Sequence, residues 1–183
     1  MAGLIEPSNS DLNNYHGLSE IFEFVNADGR FTRFNCGQAA ACTFLTHHGK
    51  LKPIAETMPE VESDYPPDNL GGWLGTSRRR VEQVCRGFGV PTEAIEGEAE
   101  LRLSLEQRRP VIVMLGVPGP KVLKLTMPMG HWMVAYGFDD ENVYLSNHGC
   151  MTWEEFRGGW HGLVPWLIRM DNRGLVASEA QFS

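Results

Sequence analysis

The chain is poor in cysteine, short of positive charge and free of long apolar runs. Its four cysteines, Cys36, Cys42, Cys85 and Cys150, are scattered over 183 residues with no Cys-x-x-Cys pair. That excludes a disulfide framework or a zinc ribbon as the basis of the fold and suits reduced thiols, so a cytoplasmic setting is expected. Lys and Arg number 16 against 23 Asp and Glu, a formal net charge of -7. Nucleic acid or an anionic membrane surface would select a basic face, so neither is expected as a partner. The most apolar run, residues 111–117, ends at Pro118 and falls well short of the roughly 20 residues of a membrane span. Residues 1–10 have neither the basic start nor the apolar middle of a secretory signal. There is no internal repeat or low-complexity tract, and nothing in the pattern calls for a cofactor.

What is present is an ordinary globular composition, 42% hydrophobic, 21% charged and 10% aromatic. It fits one domain whose core needs no covalent or metal staple. Residues 1–18 are polar and aperiodic and read as an N-terminal arm or a short helix laid over the surface. Residues 20–109 read as a mainly helical half. An almost uncharged, Ala-rich stretch follows Cys36 and runs from 38 to 48, with Gly49 as its stop; a helix without charge is buried nearly all round. Residues 50–75, with four prolines and Gly71-Gly72, read as loop with short helical pieces. Ser77 reads as an N-cap for a helix bearing Val81, Val84, Cys85 and Phe88 at helical spacing. A short strand over 90–95 and a helix over 98–109, stopped by Pro110, complete this half.

Residues 110–170 read as a mainly β half. Runs 111–115, 132–138, 143–146 and 164–169 are rich in Val, Tyr, Trp and Ile. A tight turn over 139–142 joins the second and third into a hairpin, and Thr152 with Glu155 forms a capping box for a short helix to about Trp160. Helices first and an antiparallel sheet second make an α+β protein.

Three residues in this layout suit nucleophilic chemistry. Cys36 precedes the buried helix, where unpaired backbone N–H groups and the positive end of the dipole favour a thiolate. His131 enters the strand 132–138, which holds an imidazole more rigidly than a loop would. Asn147 closes the strand across the turn, so it falls near the same end of the hairpin as His131. There an amide can accept the imidazole Nδ1–H and leave Nε2 facing a thiol. Cys36, His131 and Asn147 are therefore the candidate catalytic set. The plain alternative for Cys36, a buried packing thiol, weakens once the other two are counted with it.

Asn35-Cys36-Gly37-Gln38-Ala39-Ala40-Ala41-Cys42, with Gly130-His131-Trp132-Met133-Val134 and Tyr144-Leu145-Ser146-Asn147, resembles the papain-like cysteine peptidases. The nearest likeness is to the bacteriocin-processing, double-glycine-leader peptidase-like family. Similarity extends to residues 100–115 and to Trp153-Glu154-Glu155-Phe156 leading to Trp160, covering about residues 20–170. The resemblance implies a papain-like fold, thiol catalysis and a peptide or protein substrate. His131 and Asn147 lie closer to Cys36 than the roughly 130–150 residues typical of papain and cathepsins. The family's Gln upstream of the cysteine is absent. Asn26 is the best substitute as oxyanion-hole donor beside the Cys36 N–H, and Arg30, Asn35 and Gln38 are the other candidates. The same triad also serves acyl transfer, transglutamination or deamidation, and a degenerate peptidase-like binding module is a further alternative.

The remaining motifs read more plainly. His47 and His48 are expected to cap a helix C-terminus as partly positive groups. His148, Cys150 and His161 match no strong zinc-ligand spacing. The tryptophans are core residues, with Trp132 also a candidate wall of the substrate cleft. Gly71-Gly72 reads as a turn and Ser77-Arg78-Arg79-Arg80 as a solvated helix face.

Overall fold

The computed structural model describes residues 2–6, 14–24, 35–54, 56–69, 75–122, 125–161, 163–164, 168–169 and 172–178. In chain order the N-terminal region contributes β1 (Ala2–Ile5), β2 (His16–Gly17) and β3 (Ile21–Phe24). Then come α1 (Cys36–His47), α2 (Thr57–Asp64), α3 (Arg78–Gly87), β4 (Thr92–Glu96) and α4 (Gly97–Glu106). The rest comprises β5 (Val111–Val122), β6 (Leu125–Phe138), β7 (Asn142–Leu145), β8 (Gly149–Thr152), α5 (Trp153–His161), β9 (Leu163–Val164), β10 (Ile168–Arg169) and β11 (Arg173–Ala177).

The lack of charge after Asn35 has the expected consequence: every residue of α1 from Cys36 to Leu45 is buried. A sheet with strand order β4-β11-β5-β6-β7-β8 supports this helix, and β2 also pairs with β6. All its pairings are antiparallel. Alternation along the strands sorts the core into two layers. Ile112, Trp132, Val134, Tyr136, Tyr144 and Leu175 join Ala39, Ala40 and Phe44 of α1 on one face. Val113, Leu115, Met133, Ala135 and Val143 join Leu101 and Leu105 of α4 and Phe156 and Trp160 of α5 on the other. Each fully buried large side chain contributes about 1.5–3 kcal/mol relative to exposure, so both layers are needed to hold β6 flat between them. The result is a central strand whose middle, at Trp132, meets Cys36 at the N-terminus of α1.

Local chemistry explains most element boundaries. Ser77 Oγ accepts the Arg80 N–H at 3.1 Å and caps α3. Thr152 and Glu155 exchange hydrogen bonds, the Glu155 N–H to Thr152 Oγ1 at 3.2 Å and the Thr152 N–H to Glu155 Oε2 at 3.0 Å. The turn between β6 and β7 is built on Asp139, whose Oδ1 accepts the Glu141 and Asn142 N–H groups at 2.8 and 2.7 Å.

Three expectations are corrected. The N-terminal arm supplies strands: β1 pairs with β3, and β2 pairs with the end of β6. The second pairing needs two glycines. A Cβ on Gly17, whose φ is 135°, would run into the Gly137 Cα and the Tyr136 carbonyl, and a Cβ on Gly137 would run into the Tyr15 ring, so each position needs glycine for its own reason. The run 164–169 is not one strand: its described residues fall in the antiparallel pair β9 and β10. The sheet also contains β8 and β11, which the apolar runs did not mark.

Candidate active site

Cys36 opens α1 and is 7% exposed. Asn35, just before it, does not cap the helix through its side chain; its Nδ2 donates to Glu62 Oε1 while its carbonyl accepts the Ala39 N–H at 3.0 Å. The Cys36 thiol is met by the backbone N–H groups of Trp132, Gly37 and Cys36 itself. Those donors favour a thiolate, as the helix N-terminus led one to expect. Burial is the larger effect, and the thiol is pushed above its ordinary range. At rest Cys36 therefore holds its proton, and an attack on a carbonyl needs a base.

The Trp132 contact also locates His131. The Trp132 nitrogen is two covalent bonds from the His131 Cα, so β6 brings the histidine backbone to the mouth of the thiol. His131 pairs across the sheet with Leu115. Burial, and then the charge of nearby His148, hold its imidazole below the ordinary histidine value. A neutral ring near pH 7 is the form that accepts a proton.

Asn147 lies in the turn after β7 with φ 62°, a left-handed conformation that asparagine tolerates better than most residues. Its N–H donates to Glu23 Oε1, and its Nδ2 donates to the Phe24 carbonyl at 3.4 Å. Both partners belong to β3, which is tied to α1 by the Phe24 N–H donating to Thr43 Oγ1 at 2.9 Å. Burial raises the Glu23 carboxyl above its usual range, with the Asn147 N–H opposing that rise. With Nδ2 committed to Phe24, the amide presents Oδ1 as its remaining acceptor. Among the described residues no hydrogen bond joins Asn147 to His131.

The other candidates divide between strut and core. Gln38 is fully buried; its Nε2 donates to the Tyr65 carbonyl at 2.7 Å, and its Oε1 accepts the Thr76 hydroxyl at 2.8 Å. Its amide thus braces the first turn of α1 rather than facing an open cleft. Trp132, offered by the sequence as a cleft wall, is 3% exposed, and its Nε1 donates to the Thr76 carbonyl at 2.7 Å. The indole is core, and the reason is that Thr76 satisfies its one polar atom. Asn26 and Arg30 lie outside the described residues.

His47 and His48 do end α1, but not as charged caps. Burial lowers both, and His48 is brought down to about 4 by burial together with the charges of His47, Arg109 and Lys50. Among the described residues no group of three or more His, Cys, Asp or Glu side chains could hold a metal ion. Likewise no helix there is long and apolar enough to cross a membrane.

Two residues of the site carried no sequence signal. Thr76 joins Gln38 to Trp132, and Glu23 holds the Asn147 turn. Each acts through a contact with a residue remote in the chain. A threonine beside an N-cap and a glutamate in a short strand look unremarkable in one dimension.

No family model and no curated protein matches the chain. Solved structures do. The peptidase domain of Streptococcus ComA, a bifunctional ABC transporter involved in quorum sensing, aligns with TM-score 0.57 and 16% identity over 86% of this chain and 98% of that one. A double-glycine-motif protease from a peptidase-containing transporter, solved with its leader peptide, aligns with TM-score 0.57 and 16% identity over 88% and 95%. A peptidase-like protein of Bacillus anthracis aligns with TM-score 0.56 and 14% identity over 79% and 88%. With a buried helix packed on an antiparallel sheet and these neighbours beside it, the chain has the α+β, papain-like fold of the bacteriocin-processing, double-glycine peptidase domains.

Proposed function

We propose that the protein is a cysteine peptidase that cleaves a peptide or amide bond with Cys36 as nucleophile, His131 as base and Asn147 as the residue orienting the imidazole. The observation favouring this reading is that the backbone N–H of Trp132, the residue after His131, acts on the Cys36 thiol at the start of α1. The thiol gives its proton to neutral His131 as sulfur attacks the carbonyl carbon. The imidazolium then protonates the departing amine, and water cleaves the thioester. The Cys36 N–H and Asn26 are the proposed oxyanion donors, each such donor being worth roughly 10²–10³ in rate. In this reading Asn147 Oδ1 accepts the His131 Nδ1–H during turnover, a bond absent among the described residues at rest. A neighbour of this fold was solved with a leader peptide, which favours an extended peptide as the substrate here.

A second reading, a peptidase-like binding module, is favoured by the raised thiol and by the Asn147 amide donating to Phe24. Mass analysis of a peptide library separates the two. The peptidase reading expects hydrolysed fragments from the wild type and none from Cys36→Ala; intact peptides retained by both proteins would establish the binder. Products that carry an added amine would instead assign an acyl transferase, and products in which an amide has become a carboxylate, ammonia leaving as water adds, a deamidase.

A further inference from the structure

The opposite end of α1 carries a feature that peptide cleavage does not use. The residues His47, His48, Arg108, Arg109 and Ala177 line a cleft of about 370 Å³. It lies eleven residues along α1 from Cys36, roughly 16 Å at 1.5 Å per residue, so it is separate from the thiol. We propose that this cleft is a binding site for a small oxyanion, a phosphate or carboxylate group.

Imidazole and guanidinium donors converge around open volume. α1 delivers His47 and His48, whose rings lie 5.0 Å apart, with His48 held edge-on against Phe44 at 4.6 Å. The turn after α4 delivers Arg108 and Arg109. Arg109 Nη2 is anchored to the Ala177 carbonyl of β11 at 2.7 Å, which fixes the guanidinium at the rim. Glu93 of β4 is an acidic group against it, at 3.4 Å and half-exposed, where water screens its charge. Lys50, beyond α1, adds to the same field. The effect registers on His48, which is lowered by burial and then by the charges of His47, Arg109 and Lys50. Guanidinium groups pair with carboxylate and phosphate oxygens through a planar fork, and an imidazole beside a bound anion gains a proton readily. The volume holds a group several times the roughly 30 Å³ share of a water molecule.

Basic residues also gather at helix C-termini to answer the dipole, so the test must read a change that depends on ligand. Histidine ring resonances of the full chain are followed by NMR at constant ionic strength while inorganic phosphate, or in a second arm acetate, replaces chloride. The expected result is a saturable shift of His47 and His48 with half-saturation at about 1–10 mM, an upward move of the His48 titration, and an unmoved His16 on β2. Arg108→Asn, chosen because Arg108 is exposed with φ 58° and asparagine accepts that conformation, should weaken binding about tenfold. Tighter phosphate assigns the dianion, and equal or tighter acetate assigns a carboxylate. Shifts that fail to saturate with either anion, that appear equally at His16, or that persist unchanged in Arg108→Asn would overturn the proposal.

Discussion

Substituting Gly37 by alanine tests how tightly the nucleophile's helix is wedged into its surroundings. In an ordinary helix the change gains about 0.5–1 kcal/mol by reducing backbone freedom in the unfolded chain. Here the new Cβ would lie 2.6 Å from Thr76 Cβ and 2.8 Å from Thr76 Cγ2. Thr76 cannot retreat cheaply, because its hydroxyl is bound to Gln38 and its carbonyl to Trp132 at 2.8 and 2.7 Å; each of these bonds contributes about 1 kcal/mol. Overpacking of this kind costs about 1–3 kcal/mol, which leaves a net loss of up to about 2.5 kcal/mol. Gly158 in α5 is the internal control, since a Cβ there meets nothing within 4 Å; its replacement by alanine should stabilise by about 0.5–1 kcal/mol. Urea unfolding of the two variants should therefore move in opposite directions from wild type. If Gly37→Ala is stabilised as much as Gly158→Ala, Thr76 is not a fixed wall and the reasoning about the site's rigidity is wrong.

Other perturbations follow from the same contacts. His48 is held at about 4 in the folded protein against 6.5 ordinarily, so the folded state binds fewer protons between those values. Its contribution is present above pH 6.5 and is lost as pH falls towards 4; at about 1.4 kcal/mol per unit, reduced by partial exposure, it amounts to about 1–2 kcal/mol. His48→Gln should flatten stability over that window in chloride buffer. Cys85 shows the reverse sign: burial pushes it up to about 12, so its contribution is present below pH 8.5 and lost on the alkaline side. Cys85→Ala should blunt the fall in stability as pH rises from 9 towards 12. Asn147→Gly keeps the left-handed turn and Asn147→Ala strains it by about 1–2 kcal/mol. Both variants should lose peptide cleavage to a similar degree while only the alanine unfolds earlier in urea.

Sequence pattern revealed most where the signal was local. The buried helix after Asn35, the caps at Ser77 and Thr152, and the hairpin turn over 139–142 each follow from residues within a few positions of one another. Features that depend on distant partners stayed hidden. β11 sits between β4 and β5, yet its Arg-Gly-Leu-Val-Ala run has only one β-branched residue and no aromatic to announce a strand. The pairing of β2 with β6 rests on Gly17 meeting Gly137, and neither glycine marks the other in the chain. Of the candidate set, Cys36 opens α1 and Asn147 follows β7 as the pattern suggested, whereas His131 lies in the middle of β6, which begins at Leu125 rather than near residue 132. The raised thiol was not legible, because the helix N-terminus is visible in sequence but the burial that outweighs it comes from packing against β6. The same competition reversed the expectation for His47 and His48, whose position at a helix end favours charge while their burial removes it.

The central claim is that His131 activates Cys36, and alkylation by iodoacetamide near pH 7 tests it most directly. Cys42 and Cys85 are fully buried and Cys150 is exposed, so the three supply slow and ordinary references within one chain. The account predicts that Cys36 reacts much faster than Cys42 and Cys85, and that His131→Ala slows it roughly 10²-fold, in the range of a general base, while Cys150 is unchanged. Modification of Cys36 at the rate of Cys42 and Cys85, or at a rate indifferent to His131→Ala, would contradict it.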